Sequence, residues 1–300
     1  MARDRLRLKG LVAAPHSPMG RGGSLELDLV GAQVGNLLSQ GVSGAFVCGT
    51  TGEGYALTTA ERKLVAERWV RLAAGRLPVV VHVGHQSVAE ACELATHACE
   101  IGADAVAACP PSFVKPGSVE EAVRCCEAVA DAADGLAFYF YHIPSLSGVR
   151  VDVAGLIEQG RRRIEKFCGV KFTEPDLYAF QRALAAAEGE VDVLWGVDEM
   201  LLGALAVGAT GAVGSTYNYM AGTYLAMMEA FDAGEMEVAR ARARESVRIV
   251  DLLSRWGGIR TGKALMELQG LDVGPVRLPI APLEEGEREE ILNAARGILG

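Results

Sequence analysis

The hydrophobic residues of this chain fall into short runs, which alternate with longer stretches where apolar and polar positions follow a helical period. The alternation continues from the amino terminus to about residue 215. A short uninterrupted apolar run is typical of a strand that is buried on both faces. The pattern predicts eight strands: Gly10–Ala14, Gly44–Cys48, Val79–Val83, Ala105–Ala108, Leu136–Tyr141, Phe167–Lys171, Val193–Trp195 and Gly211–Val213.

The stretches between these runs predict helices, because their apolar residues recur at intervals of three and four. Several begin with residues that favour helix initiation. Ser24, Thr58 and Ser118 each precede an apolar period, and Glu61 follows Thr58 at the spacing of a capping box. The predicted helices include Leu25–Gln40, Thr58–Ala74, Val88–Ile101, Val119–Ala132 and Asp176–Ala187.

Strands that alternate with helices predict an α/β fold with a parallel sheet and right-handed crossovers. A doubly wound sheet usually has fewer strands, and no Gly-x-Gly-x-x-Gly follows the first strand here. Eight strand–helix units favour a closed (β/α)8 TIM barrel instead. In that fold the functional groups lie at the carboxyl ends of the strands and in the loops that follow them.

From residue 218 onward the pattern predicts helices alone, with examples at Gly222–Ala233, Met236–Leu253 and Thr261–Leu268. No low-complexity linker separates them from the preceding part of the chain. We therefore predict a TIM barrel over residues 1–217 and a C-terminal helical extension over residues 218–300. The extension is expected to pack on the barrel, so that both form a single structural unit.

Composition excludes several classes of partner. The 300 residues carry a formal net charge of −9, which argues against binding to nucleic acid or to an anionic membrane. No apolar run is long enough to span a bilayer, and the charged start lacks the apolar stretch of a signal peptide. The 7 cysteines show no Cys-x-x-Cys pairing and fall in core-like segments, so we expect reduced thiols and a cytoplasmic protein.

Lys171 restricts the possible reactions of the protein more than any other residue, because it lies inside the apolar run Phe167–Thr173. An ammonium is costly to bury, so a lysine in an apolar site loses its proton more readily than one in water. The neutral amine is a nucleophile that condenses with carbonyl groups to form a Schiff base. A strand-end lysine that reaches water or pairs with a carboxylate is the alternative interpretation.

Two further strand ends carry groups that could serve such chemistry. Thr50 and Thr51 lie in the glycine-rich loop Gly49–Gly54, whose amides and hydroxyls could hold a carboxylate, although a polar turn is the alternative. Tyr139 and Tyr141 share one face of the fifth predicted strand. A tyrosine that faces inward at a strand end can relay a proton, whereas most such tyrosines are core residues.

The seventh and eighth predicted strands are followed by polar residues suited to a hydroxylated ligand. Gly196 precedes Asp198 and Glu199 in one loop, and Ser215 lies in the other. Carboxylates and a hydroxyl among glycines can accept and donate hydrogen bonds to a polyol. In the alternative interpretation, Asp198 and Glu199 only cap the next helix.

His82 and His85 raise the question of a metal site. Residues three apart on a strand point to opposite faces, so only a bend after Val83 would let the two rings converge. We therefore predict no metal site, and the sequence leaves the role of both histidines open beyond packing.

The motifs taken together resemble the dihydrodipicolinate synthase/N-acetylneuraminate lyase family. The resemblance covers nearly the whole chain and depends on Gly49-Thr50-Thr51-Gly52-Glu53, Tyr141-x-Ile143-Pro144, Gly169-Val170-Lys171, Gly196-x-Asp198-Glu199 and Gly214-Ser215-Thr216-Tyr217-Asn218. The last two motifs, together with Gly274–Pro279, are similar to the lyase branch of that family.

The resemblance implies a class I aldolase that cleaves N-acetylneuraminate reversibly to pyruvate and N-acetylmannosamine. Lys171 would form the Schiff base, Tyr141 would move the proton of the hydroxyl beside the broken bond, and Thr50 and Thr51 would hold the carboxylate. The residues expected to contact the hydroxylated tail are Thr173, Gly196, Asp198, Glu199 and Ser215. The family further implies a homotetramer that needs no metal or organic cofactor.

Two positions distinguish this chain within the family. Dihydrodipicolinate synthases carry an arginine in the loop that here reads Pro144–Gly148, with Leu146 in its place, so a dicarboxylate product is not expected. The loop Cys109–Val114 lacks the tyrosine that family members often extend to a neighbouring subunit.

Two other functions are alternatives to the cleavage of N-acetylneuraminate. One is an aldolase or dehydratase for another 2-keto sugar acid, and the other is a non-catalytic barrel that binds sugar acids.

Overall fold

The computed structural model describes residues 6–299 and shows a closed barrel of eight parallel strands, in which each strand pairs with the next and β1 pairs with β8. The predicted (β/α)8 barrel is thus confirmed. Every predicted strand is present, and its ends shift by one residue at most. The strands are β1 Gly10–Ala13, β2 Gly44–Val47, β3 Val79–His82, β4 Ala105–Ala108, β5 Ala137–His142, β6 Phe167–Phe172, β7 Asp192–Trp195 and β8 Gly211–Gly214.

Helices follow every strand and continue beyond the barrel. Within the described residues they are α1 Val30–Ser39, α2 Thr59–Ala73, α3 Val88–Glu100, α4 Val119–Ala132, α5 Pro144–Ser147, α6 Val153–Arg163, α7 Leu177–Ala187, α8 Leu201–Ala206, α9 Ala221–Asp232, α10 Met236–Trp256, α11 Gly258–Leu265 and α12 Glu285–Leu299. Short 3-10 turns occur at Leu27–Leu29, Gly54–Ala56, Asp198–Met200, Thr216–Asn218 and Met266–Gln269. No helix among residues 6–299 has both the length and the apolar character that a membrane crossing requires.

Local start signals explain several of the helix boundaries. Thr58 and Glu61 form the predicted capping box at α2, and Ser118 accepts a hydrogen bond from the third residue of α4. The helix predicted from Leu25 begins only at Val30. Of its first residues, Leu25 instead forms an antiparallel bridge with Met19, and Leu27–Leu29 form a 3-10 turn.

The core has two layers. One face of each strand packs against the surrounding helices, whereas the other face fills the barrel interior. The interior residues include Val12, Phe46, Val80, Tyr139, Tyr141, Leu194 and Val213. Both predicted tyrosines of β5 therefore share the inward face, and His142 lies on the outer one with Phe140 and Phe172.

The helices after β8 comprise α9 and then α10 to α12, which pack together and against the barrel. The segment that follows α11 also contacts the loop after β1, where Met19 N donates a hydrogen bond to Val273 O at 3.0 Å. The division of the chain after residue 217 stays a prediction.

Candidate active site

The predicted site residues come together at the carboxyl ends of the strands. Thr50 and Thr51 follow β2, Tyr141 and Lys171 lie near the ends of β5 and β6, and Thr173 comes just after β6. The loops after β7 and β8 add the remaining predicted residues, Gly196, Asp198, Glu199 and Ser215. A cleft of about 550 Å³ opens at this end and is lined by Thr50, Tyr141, Leu146 and the segment Arg277–Ile280, among others.

Lys171 is 5% exposed and points into the barrel interior. Its Nζ lies 4.2 Å from the centre of the Phe46 ring and 4.3 Å from that of Tyr141. Burial lowers the pKa of Lys171 from 10.5 to about 7, and the Asp198 carboxylate opposes this shift only in part. A substantial fraction of neutral, nucleophilic amine is therefore present near neutral pH.

A bulge in β6 turns Lys171 inward. Phe167 pairs with Phe138 of β5, but Gly169 pairs with Tyr139, so β6 contains one residue more than its neighbour. Strict alternation would put Phe167 and Lys171 on the same face. Instead Phe167 belongs to the outer layer, whereas Lys171 faces the ring of Tyr141. Gly169 permits this path because a Cβ there would lie 2.2 Å from Asp192 O on β7.

Tyr141 is buried directly beside this amine. Its hydroxyl lies 3.3 Å from Thr50 Oγ1, a distance at which either group can donate a hydrogen bond to the other. Burial raises the pKa of Tyr141 well above its ordinary value, and the hydroxyls of Thr50 and Thr173 offset this only in part. The phenol is accordingly protonated at neutral pH and can donate its proton to a reacting oxygen.

The loop after β2 is a compact double turn. Glu53 N donates to Thr50 O and Gly54 N donates to Gly49 O, each at 3.0 Å. Two non-glycine residues at its ends, Cys48 and Glu53, have left-handed backbone conformations with φ of 57° and 52°. Such conformations persist where surrounding contacts fix them. Thr50 and Thr51 are both half-buried on this loop, and Thr50 lines the cleft.

Asp198 is a buried carboxylate that binds the loop after β8. It accepts hydrogen bonds from Thr216 N at 2.9 Å and from Thr216 Oγ1 at 2.7 Å, both on Oδ2. Burial raises its pKa, and these hydrogen bonds act in the opposite direction. Gly214 leaves room for the carboxylate, since a Cβ there would lie 2.0 Å from Asp198 Oδ1.

Glu199 and Ser215 flank this carboxylate and are half-buried, so their polar atoms can meet a ligand. Burial likewise raises the pKa of Glu199. Asp198 and Glu199 form a 3-10 turn that leads into α8. Asp198 makes no side-chain cap to that helix, which argues against the helix-capping interpretation.

The role of His82 was left open from the sequence, and in the structure its ring lies within the site. Its ring is edge-on to that of Tyr141, with centres 5.6 Å apart, and its Nδ1 is 3.2 Å from Cys48 O. Burial holds the pKa of His82 well below 6.5, and the charges of Arg62 and Lys171 lower it further. The alternation of β3 was the signal that could have located it, because Val80 also faces inward.

His85 lies apart from this ring, in the loop before α3, where its Nδ1 accepts a hydrogen bond from Ser87 N. The two histidines therefore do not converge. Within the described part of the chain, no three His, Cys, Asp or Glu side chains are arranged so that they could hold a metal ion.

Buried charges that the sequence did not reveal surround the site. Arg62 is 2% exposed and donates to His82 O at 2.6 Å and to Gly84 O at 2.9 Å, thereby fixing the end of β3. Glu53 forms an ion pair of 2.7 Å with Lys263 of α11. Residues so distant in sequence carry no local pattern that links them to the site.

Comparison with known proteins agrees with this geometry. Residues 7–297 match the Dihydrodipicolinate synthetase family. The chain belongs to that family. Among curated members, N-acetylneuraminate lyase of Rattus norvegicus is 41% identical over 299 residues, which are 98% of this chain and 92% of that protein. The human protein of the same name is 41% identical over 294 residues, 96% of this chain and 91% of its own length.

Solved structures of the dihydrodipicolinate synthetase family superpose closely on this chain. N-acetylneuraminate lyase of Proteus mirabilis has a TM-score of 0.95 at 38% identity and covers 98% of this chain and 99% of its own. The sialic acid aldolase of Aliivibrio salmonicida has the same TM-score and identity and covers 99% of this chain and 98% of its own. Dihydrodipicolinate synthase of Bacillus anthracis reaches 0.91 at 28% identity and covers 97% and 98%.

Leu146 and the loop after β4, both considered in the sequence analysis, lie near the mouth of the cleft. Leu146, on α5, is 66% exposed and presents no charge to the cleft. Phe113, in the loop after β4, is 90% exposed. That loop is held by Gln86, whose Oε1 accepts from Ser112 N and Phe113 N at 3.0 Å.

Proposed function

We propose that this protein is a class I aldolase that cleaves N-acetylneuraminate reversibly to pyruvate and N-acetylmannosamine. The observation that carries the proposal is the buried amine of Lys171, whose pKa is lowered to about 7 and whose Nζ lies 4.3 Å from the ring of Tyr141. The names of the similar proteins support the substrate. The enzyme is thus a carbon–carbon lyase.

Lys171 begins the reaction as a neutral nucleophile. Its Nζ attacks the C2 keto carbon of the open-chain sugar acid, and loss of water leaves a protonated imine. The imine nitrogen accepts the electron pair of the C3–C4 bond as that bond breaks, so that an enamine of pyruvate remains on Lys171. Protonation of C3 and hydrolysis of the imine release pyruvate and restore the amine. Because the imine is the electron sink, the reaction requires neither a metal nor an organic cofactor.

Tyr141 handles the proton of the C4 hydroxyl. That proton must leave as the hydroxyl carbon becomes the aldehyde of N-acetylmannosamine. A phenol has to give up its own proton before it can accept another, and Thr50 Oγ1, 3.3 Å away, supplies a route for that exchange. In the reverse direction, Tyr141 donates its proton to the aldehyde oxygen while the enamine attacks the carbonyl carbon.

The polar groups around Lys171 hold the two ends of the substrate. Thr50 and Thr51 bind the carboxylate through their hydroxyls and the amides of their loop. The hydroxylated tail lies along the opposite wall, formed by Thr173, Gly196, Asp198, Glu199 and Ser215. Asp198 Oδ2 accepts two hydrogen bonds from Thr216, and we assign the substrate hydroxyl to Oδ1.

We further propose that the protein is a cytoplasmic homotetramer, as the family resemblance implies. Light scattering at enzyme concentrations would measure the mass directly. A mass of one 31.7 kDa chain would contradict the assembly.

Borohydride reduction in the presence of pyruvate tests the Schiff base. We expect a reduced pyruvate adduct on Lys171 by peptide mass mapping, and none in Lys171→Ala. An unmodified Lys171, or cleavage by the alanine variant, would exclude the mechanism. A panel of 2-keto sugar acids tests the substrate. If a shorter acid released pyruvate and N-acetylneuraminate did not, the related aldolase or dehydratase would be the correct function.

Asp198→Ala tests the tail-binding wall. We expect the KM for N-acetylneuraminate to rise much more than the half-saturating pyruvate concentration for adduct formation, since pyruvate has no tail. Equal losses for both ligands would show that Asp198 supports the fold of the site and does not contact the tail.

A further inference from the structure

Glu53 and Lys263 form a buried ion pair that joins the loop after β2 to the C-terminal helices. Lys263 Nζ lies 2.7 Å from Glu53 Oε1, and both side chains are 2% exposed. The second carboxylate oxygen, Oε2, accepts a hydrogen bond from Arg277 N at 2.8 Å. Lys263 also donates to Pro275 O at 2.6 Å. Both oxygens of Glu53 are thus bound by groups that lie beyond residue 260.

We propose that Glu53 and Lys263 are positioning residues, through which the C-terminal helices hold Thr50 and Thr51 in the geometry that binds the substrate carboxylate. This inference rests on the proposed aldolase function. It gives the C-terminal helices a role in the chemistry, although they supply no residue that touches the reacting atoms.

The backbone of Glu53 links the ion pair to the loop. Its N–H donates to Thr50 O, so Glu53 closes the turn that contains both threonines. The residue has a left-handed conformation with φ of 52°, which glutamate does not favour by itself. Backbone hydrogen bonds of the loop support this shape, and the side-chain contacts that add to them are those of Glu53 with Lys263 and Arg277.

Arg277 is fixed independently of Glu53. Its guanidinium pairs with Glu61 at 2.5 Å, and its Nε donates to Gly23 O at 2.9 Å. Lys263 is similarly held by Pro275 O and by its helix. The partners of Glu53 thus form a rigid anchor, and the loop after β2 is the element whose conformation depends on the pair.

Thr50 connects the loop after β2 directly to the residues that react with the substrate. Thr50 Oγ1 lies 3.3 Å from the hydroxyl of Tyr141, whose ring contacts Lys171. A change in the turn would therefore alter both the carboxylate-binding hydroxyls and the partner of the proton-transferring phenol. It would leave the burial of Lys171 and its ability to form an imine unchanged.

Glu53→Gln is the informative variant, because it keeps the length of the side chain. A glutamine offers one oxygen and one amide nitrogen, whereas Lys263 Nζ and Arg277 N are both donors. It can therefore satisfy one of them only, and Lys263 loses its counter-charge. We expect the half-saturating pyruvate concentration for borohydride trapping at Lys171 to rise roughly tenfold or more, the range for losing a hydrogen bond to a charged group.

Glu267→Gln is the matched control. Glu267 pairs with Arg288 at 2.5 Å inside the C-terminal helices and does not contact the loop. We expect this variant to lose thermal stability but to bind pyruvate as the wild type does. A wild type that fails to trap pyruvate would refute the aldolase function itself. A wild type that traps it, beside a Glu53→Gln variant with unchanged half-saturation, would overturn only the positioning role.

The double variant Glu53→Gln/Lys263→Met separates positioning from stability, and it covers the case in which Glu53→Gln alone fails to fold. It removes the buried ammonium that would otherwise lack a counter-charge, so thermal stability should largely recover. The half-saturating pyruvate concentration should stay raised, because the tie to α11 is still absent. Recovery of pyruvate binding together with stability would show that the pair is only structural, and would overturn the inference.

Discussion

Lys171→Met should make the protein more stable than the wild type, because the wild type holds a titratable amine in an apolar site. Burial lowers the pKa of Lys171 from 10.5 to about 7. Between these two values the unfolded chain binds a proton that the folded chain does not. The stability of the wild type therefore rises with pH across this window, and below pH 7 the full cost of charging the buried amine is present.

The size of the effect follows from the same shift. At about 1.36 kcal/mol per pKa unit, the lowering corresponds to about 5 kcal/mol. This shift already includes the opposing attraction of Asp198, and the rings of Phe46 and Tyr141, which attract the ammonium, reduce the gain on replacement further. We expect a net stabilisation of about 2–4 kcal/mol below pH 7, which declines towards zero as the pH approaches 10.

Urea unfolding of both proteins at equal concentration, from pH 6 to pH 10, would measure this difference. Lys115→Met serves as the control, because Lys115 is exposed and its replacement should change the free energy of unfolding little at any pH. A Lys171→Met variant that is less stable than the wild type at pH 6 would refute the reasoning. So would an advantage that does not change with pH, because packing alone could then account for it.

Three further substitutions test separate parts of the site. Tyr141→Phe should still form the pyruvate adduct but lower kcat for cleavage about 10²- to 10³-fold, because the proton transfer is lost. Equal losses of adduct formation and of cleavage would contradict this role. Gly214→Ala would bring a Cβ within 2.0 Å of Asp198 Oδ1 and displace the carboxylate. The KM for the sugar acid should then rise about tenfold while pyruvate trapping is unchanged. An unaltered KM would show that Asp198 does not contact the tail. Arg62→Met leaves the carbonyl of His82 without its buried donor and should lower the free energy of unfolding by about 3 kcal/mol. Urea titration would measure this loss, and an unchanged midpoint of urea unfolding would exclude it.

The barrel could be predicted because its information is local. Each strand is a short apolar run, each major helix has its own period, and the count of eight units selects the closed sheet. The rule that functional groups lie at the carboxyl ends of barrel strands also predicted that Lys171, Tyr141 and the loop after β2 lie at one end of the barrel. Local pattern was sufficient for these residues because the fold itself brings strand ends together.

The residues that sequence reasoning missed depend on long-range contacts. Glu53 stands in a motif that was recognised, yet its partner Lys263 lies on a helix 210 residues later, and no local spacing indicates the pair. Arg62 lies on the same face of α2 as Val65 and Trp69, but that position alone does not indicate that it reaches two backbone carbonyls at the end of β3. The inward face of His82 followed from the alternation of β3, whereas its contact with Tyr141 required the closed barrel.

The bulge in β6 makes the length of that strand as important as its composition. Phe167 faces the helices and Lys171 faces the interior only because β6 has one residue more than β5. The same residues in a strand without the bulge would keep every side chain chemically intact, yet the amine would turn towards the helix layer. Anyone who transplants this lysine into another barrel, or aligns a distant relative against it, must therefore preserve the bulge between Phe167 and Lys171 and not the lysine alone.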